Sequence, residues 1–393
     1  MQKRVLLKRG KEESLLRFHP WIFSGAIASI EGTPDEGDVV DVYTYDGNWI
    51  AAGHIQVGSI AVRVLTFTQE PIDKAFWRKK IEIAYKLRSD LGLTNRADHN
   101  IYRLIHGEGD NLPGLVVDVY GRTAVVQAHS VGMHCNRMDI AQAIVDVLGD
   151  NILSVYYKSE TTLPYKAQAD NSTGYIIGGH LNDVPLEYGL KLPVDWINGQ
   201  KTGLFIDQRE NRALLEKYSN GRSVLNMFCY TGGFSLAALR GGAKLVHSVD
   251  SSAKATELTI KGVKDNFPDD DRHKAFAEDA FKFLDNMKEK YDLIILDPPA
   301  FAKHRDALKR ALIGYRRLNE KALEKIEPGG ILFTFSCSQV VTKEQFRMAV
   351  FTAAAQAGRS VKILYQLHQP ADHPINIFHP EGEYLKGLVL SVE

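Results

Sequence analysis

Apolar positions follow three rhythms along the chain. Over the first 70 residues they come in short runs, Val39-Val40 with Val42-Tyr43, then Trp49–Ala52, then Ile60–Leu65, separated by glycine and proline. An Asp46-Gly47 pair between two of these runs is a hairpin signal, because both residues tolerate positive φ. Short strands punctuated in this way predict a small β-barrel over residues 1–70. From Asp73 to Leu91 the period lengthens, and Phe76, Ile81, Ala84, Leu87 and Leu91 share one helical face. Strands return at Tyr102–Ile105, Leu115–Val119 and Ala124–Ala128, followed by a helix over Met138–Leu148 and a strand over Leu153–Tyr157. This predicts an α+β domain over 71–185. The polar residues 169–173 and the glycines up to Gly189 predict a connector.

The third rhythm fills residues 186–393. Near-continuous apolar runs (Val224–Phe228, Leu245–Val249, Asp292–Leu296, Ile331–Phe335, Val361–Tyr365 and Leu388–Val392) alternate with helical stretches. The helices expected are Ser235–Arg240, Ala253–Asn266, Ala280–Lys288, Ala307–Ile326 and Lys343–Ala357. Strands apolar on both faces, joined by helices, predict a parallel, doubly wound α/β sheet of the Rossmann type, covered on both sides. Ligands of such sheets bind beyond the carboxyl ends of the strands.

Composition narrows the class without choosing the function. The 393 residues carry 48 Lys+Arg against 48 Asp+Glu and are 44% hydrophobic, which excludes a disordered or polybasic chain. The first 21 residues are basic but lack the apolar stretch of a secretory signal, and no run is long enough to span a membrane. Three cysteines, Cys135, Cys229 and Cys337, without CxxC spacing give neither a disulfide framework nor a zinc pattern. A cytoplasmic protein without structural metal is therefore expected. Basic residues gather at 1–20 and at 303–321, where Lys303, Arg316 and Arg317 are candidate RNA contacts. A solvated charged face accounts for the same pattern.

Candidate chemistry lies at the predicted strand ends. After the strand at 224 comes Phe228-Cys229-Tyr230-Thr231-Gly232-Gly233, whose paired glycines admit a ligand close to the backbone. It is neither G-x-G-x-x-G nor a P-loop, so a phosphate cradle is not indicated. Asp250, at the next strand end, suits ribose hydroxyls. A nucleoside ligand without phosphates, commonly S-adenosylmethionine, fits both, while a structural glycine cap and a helix N-cap are the plainer reading. Glu278-Asp279-Ala280 ends a presumed third strand, and Asp297-Pro298-Pro299-Ala300-Phe301 a fourth, its two prolines stiffening the loop. Ser336-Cys337-Ser338 ends the fifth. A thiolate there, added to carbon 6 of cytosine, makes carbon 5 nucleophilic toward a methyl donor, with Asp297 serving ring atom N3. A free cysteine packed as a small hydrophobe is the alternative, and packing is expected for Cys135 and Cys229. His368, His373 and His379 have no zinc spacing and read as loop residues.

Taken together, Gln200-Lys201-Thr202-Gly203-Leu204-Phe205-Ile206-Asp207-Gln208-Arg209-Glu210-Asn211, the Tyr230-Thr231-Gly232-Gly233 loop, Asp297-Pro298-Pro299 and Ser336-Cys337-Ser338 resemble the RlmI-like class I methyltransferases. His19-Pro20-Trp21 with Gly37-Asp38-Val39-Val40 is similar to that family's PUA domain, an RNA-binding barrel, and Ile105–Leu115 to its middle domain. The resemblance implies S-adenosylmethionine-dependent methylation of cytosine carbon 5 in large-subunit rRNA, and a homodimer. It implies Cys337 as nucleophile and Asp297 as motif acid. It also implies a cofactor pocket of Phe228, Tyr230, Thr231, Gly232, Asp250, Ser251, Asp279, Ala280 and Asp297, bordered by Gln208 and Arg209. The Asp-Pro loop lacks the second cysteine of the wider RNA cytosine methyltransferases, so the base that releases product is unassigned. Two other readings are methylation of a base nitrogen, with Phe301 clamping a flipped base, and a non-catalytic RNA-binding assembly factor.

Overall fold

A computed structural model describes residues 3–164 and 173–393. The strand-rich N-terminal pattern folds as a six-stranded mixed sheet in which Val39–Tyr43 and Trp49–Ile55 form the expected hairpin. Gly47 takes φ of 82° at its turn. Two further strands, Arg4–Leu7 and Trp21–Phe23, are too short to carry a legible alternation, and Ile27–Glu31 is exposed along most of its length. Trp21–Phe23 and Ile27–Glu31 lie at opposite ends of the strand order, yet a single turn of three residues, Ser24–Ala26, joins them. Three residues reach only about 10 Å, so the sheet curls until its edges nearly meet, giving the barrel-like shape. Val5, Leu7, Val40, Val42, Val62 and Val64 fill its interior.

The central segment adds a five-stranded sheet of Ile101–His106, Leu115–Tyr120, Thr123–Ala128, Ser154–Tyr157 and Gly174–Ile177, with helices Lys74–Asp90 and Arg137–Leu148 packed together beside it. Asp73 starts the first helix by accepting from the amides of Ala75 and Phe76 at 2.9 and 3.1 Å. Of the expected connector, residues 169–172 lie outside the described residues. The glycines after it are not all loop, because Gly174–Ile177 pairs with Ser154–Tyr157 as an edge strand. Cys135 is a correction: it ends the short helix Val131–Cys135 and is exposed rather than packed.

By internal contacts the chain forms two units, Met1–Leu186 with Asp195–Ile206 and Ala371–Gly382, and Glu187–Val194 with Asp207–Pro370 and Glu383–Glu393. The second unit holds the doubly wound sheet. Its strands are β1 (Ser223–Met227), β2 (Leu245–Asp250), β3 (His273–Ala277), β4 (Leu293–Leu296), β5 (Gly330–Ser336), β6 (Val361–Leu367) and β7 (Lys386–Val392). They lie in the order β3-β2-β1-β4-β5-β7-β6. Six helices accompany them: α1 (Arg209–Tyr218), α2 (Gly233–Arg240), α3 (Ala253–Asn266), α4 (Ala280–Asn286), α5 (Leu308–Lys325) and α6 (Lys343–Gln356). Strands β1, β4 and β5 are buried along their whole length, as their unbroken apolar runs require. Two departures from the expected sheet stand out. Strand β7 runs antiparallel between β5 and β6, because no crossover helix precedes it to reverse the chain. Strand β6 is exposed from Lys362 to Gln366, so coverage on both faces fails at that edge. No helix among the described residues is long and apolar enough to cross a membrane.

Candidate active site

The parallel strands β1 to β5 all point their carboxyl ends at one edge, and connections leave that edge in opposite directions between β1 and β4. This is the switch point at which α/β sheets bind ligands. On the β1 side the loop is held in an uncommon shape. Phe228 and Tyr230 adopt φ of 59° and 47°, left-handed values that cost energy for non-glycine residues. The loop is pinned from two elements. Tyr230 N–H donates to Asp250 Oδ2 at 3.0 Å, and the Thr259 hydroxyl on α3 donates to the Tyr230 carbonyl at 3.0 Å. Asp250 Oδ1 accepts from Ser252 N–H at 2.9 Å, so two backbone donors aim the half-exposed carboxylate.

The glycines have a packing reason as well. Gly232 starts α2 at φ of 81°, and a Cβ there meets Thr259 Cγ2 at 2.5 Å; one on Gly233 meets Arg212 Cδ at 2.9 Å. Asp279 caps α4 through Lys282 N–H at 3.0 Å and is exposed, as is Ser251, whereas Ala280 and Thr231 are buried. Asp279 is thus a helix N-cap, whereas the N-cap considered for Asp250 falls to Ser252, which starts α3. Cys229 packs against Thr259, its Sγ 3.7 Å from the hydroxyl, and burial pushes its thiol up to about 12.

On the other side of the switch point a thiol meets an acid. Cys337 is half-buried one residue beyond β5, with Sγ 3.9 Å from the carbonyl oxygen of Pro298, the residue after Asp297. Burial, then the Asp297 and Asp207 charges, push the thiol up to about 12. Asp297 is raised to about 7, first by burial and then by the Asp207 charge, against a hydrogen bond from the Gln208 side chain and the Arg212 charge. Gln208 is buried, its Oε1 accepting from Asn211 Nδ2 at 2.6 Å. Arg212 is held in a buried fork by Glu187 at 2.7 and 2.6 Å. The loop carrying Cys337 is anchored by Ser338, which takes the Tyr315 hydroxyl at 2.9 Å, and by Lys386 on β7. Lys386 Nζ donates to the carbonyls of Ser338 and Val341 at 2.6 and 2.8 Å, and burial lowers this amine to about 8.

The predicted residues thus form two groups along one edge: Phe228, Tyr230 and Asp250 with Asp279 nearby in the sheet order, and Cys337 with Asp297 and Gln208. Arg209 is buried and pairs with Glu210 at 3.1 Å. Of the RNA candidates, Lys303 and Arg317 are exposed, while Arg316 is tied to Gln356 on α6 at 2.5 Å. Sequence reasoning missed Asp207, Tyr384 and Lys386. Asp207 stood inside the Gln200–Asn211 motif, but no local spacing showed that β7 returns to the loop that carries Cys337. In the other unit one ligand atom each of His379, His19 and Glu381 lie within 4.8 Å of one another.

Residues 154–382 match the profile of the S-adenosylmethionine-dependent methyltransferases, and residues 5–67 that of PUA-like domains. The chain is 41% identical over 398 residues to the ribosomal RNA large subunit methyltransferase I of Aeromonas hydrophila, covering 99% of each. It is 38% identical over 400 residues to the protein of the same name from Klebsiella pneumoniae, covering 99% of this chain and 98% of that one. A chain described as a SAM-dependent methyltransferase from Streptococcus mutans superposes with a TM-score of 0.84 at 22% identity over all of both chains, which establishes the shared fold.

Proposed function

Since this chain belongs to the ribosomal RNA large subunit methyltransferase I family of S-adenosylmethionine-dependent enzymes, we propose that it forms 5-methylcytosine in large-subunit rRNA through a covalent Cys337 adduct. The observation that carries this reading is the thiol of Cys337 beside the loop of a carboxyl group poised near neutrality. Phe228, Tyr230, Thr231, Gly232, Asp250, Ser251, Asp279 and Ala280 would hold S-adenosylmethionine, Asp250 accepting from the ribose hydroxyls. The donor set fits: an oriented, half-exposed acid at the β2 tip beside a strained loop. When bound, the cofactor supplies an electrophilic methyl group on its sulfonium.

The protein's own residues handle the protons. At rest Cys337 is a thiol, so attack on carbon 6 requires a proton to leave sulfur and one to reach N3. Asp297, titrating near 7, does both: as carboxylate it takes the thiol proton, and as acid it gives that proton to N3. Addition leaves an enamine whose carbon 5 accepts the methyl group. Gln208 fixes the carboxyl during this exchange, and so acts on the acid rather than on the cofactor. Lys303 and Arg317 contact RNA phosphates, and the PUA-like segment 1–70 and the central segment 71–185 add RNA-binding surface. The protein works in the cytoplasm.

RNA carrying 5-fluorocytosine tests this directly, because fluorine cannot leave carbon 5 as a proton. The wild type should form a denaturant-resistant complex with such RNA, and Cys337→Ala should form none and transfer no methyl group. Full methylation by Cys337→Ala would refute the adduct and favour attack by a base nitrogen.

A further inference from the structure

After methyl transfer, carbon 5 still bears its hydrogen, and a base must remove it. We infer that Asp207 is that base and that Tyr384 positions it; this rests on the carbon-5 reading above. The placement follows from the strand ladder. Ser336, the last residue of β5, pairs with Lys386, the first of β7, in an antiparallel register. Cys337 follows this pair by one residue on one chain, and Tyr384 precedes it by two on the other. From there the Tyr384 hydroxyl donates to Asp207 Oδ2 at 2.6 Å. The next residue, Gln208, is the one bonded to Asp297. Asp207 is therefore fastened on one side to the segment that leads into β7 and, through its neighbour Gln208, sits next to the partner of the motif acid. Its negative charge acts on both Cys337 and Asp297. The residue is half-exposed, so a proton taken from substrate has a route to water.

Asp297 does not serve for this step. By this stage its proton sits on N3 and must return when the ring is restored. A second carboxylate separates the two proton transfers, and the missing second cysteine of the Asp-Pro loop is not needed. The balance is as follows. The Asp207 carboxylate takes the carbon-5 proton, and the C–H electrons re-form the double bond between carbons 5 and 6. The C–S bond breaks with its electrons on sulfur, and the N3 proton passes through Asp297 back to the Cys337 thiolate. The proton gained by Asp207 leaves to solvent. Tyr384 donates to the ionised form of Asp207 and turns the other oxygen toward the ring.

The test uses full-length protein, S-adenosylmethionine labelled in its methyl group, and large-subunit rRNA transcribed in vitro with ordinary cytosine. Asp207→Asn should methylate once and then stall. A denaturant-resistant protein–RNA complex carrying the label should accumulate, with release about 100-fold slower or more. Tyr384→Phe should show the same complex at lower occupancy. Normal turnover by Asp207→Asn overturns the assignment. So does loss of turnover without labelled complex in a variant of wild-type circular dichroism. Should Asp207→Asn fail to fold, Tyr384→Phe decides by the same readout. Failure of wild type to trap 5-fluorocytosine RNA would instead indict the carbon-5 reading itself.

Discussion

Replacing Asp297 by asparagine should stabilise the second unit while abolishing methyl transfer. Burial raises this carboxyl from 3.8 to about 7, so the folded protein holds a proton that the unfolded chain has released. Between about pH 4 and pH 7 the native state binds more protons, and stability falls as pH rises through that window. Above 7 the full penalty is present. A rise of about three pH units at 1.36 kcal/mol each sets a ceiling of about 4 kcal/mol, and partial exposure at the crevice brings the expectation to about 2–4 kcal/mol. Asparagine keeps an oxygen to accept from Gln208 and has no charge to desolvate. The gain of Asp297→Asn over wild type should therefore be near zero at about pH 3, grow between about pH 4 and pH 7 and reach its plateau by pH 8. All four tryptophans, at 21, 49, 77 and 196, lie in the first unit, so their fluorescence does not report this transition. Hydrogen exchange of the β1 and β4 amides does. A stability difference independent of pH, or a loss at pH 8, would refute the premise that the acid is held against its solvation.

Further outcomes follow from individual contacts. Gly232→Ala should cost about 2–5 kcal/mol, since φ of 81° disfavours any side chain and its Cβ falls 2.5 Å from Thr259 Cγ2; calorimetry should show Thr259→Ala recovering part of the loss. Glu187→Gln removes the carboxylate charge that forks the buried Arg212 guanidinium and should destabilise by about 3–5 kcal/mol in thermal unfolding. Lys303→Ala and Arg317→Ala should each lower the slope of log affinity for rRNA against log salt by about 0.7–0.9. Arg316→Ala should change that slope less, its side chain being engaged by Gln356. Equal slopes in all three variants would return this stretch to an ordinary solvated face.

The local order of this protein is written along its chain. Leu293-Ile294-Ile295-Leu296 reads as a strand buried on both faces whatever surrounds it, and Asp73 reads as a helix start because its carboxylate reaches the amides two and three residues on. The strand-end motifs were legible for a related reason: in a parallel sheet, residues following successive strands arrive at one edge, so order along the chain already implies neighbourhood in space. That is how Asp250, Asp297 and Cys337 could be assigned to one edge of the sheet without coordinates. The logic stops where the chain reverses without a helix. Strand β7 inserts antiparallel, and only its register with β5 brings Lys386 to the loop that carries Cys337. The bond from Tyr384 to Asp207 spans 177 residues, and no local period encodes it. The burial that lifts Asp297 to about 7 is likewise a sum over many elements packed around one carboxyl. Sequence fixes which groups exist and which edge they reach; packing alone decides how near they stand and which of them hold a proton.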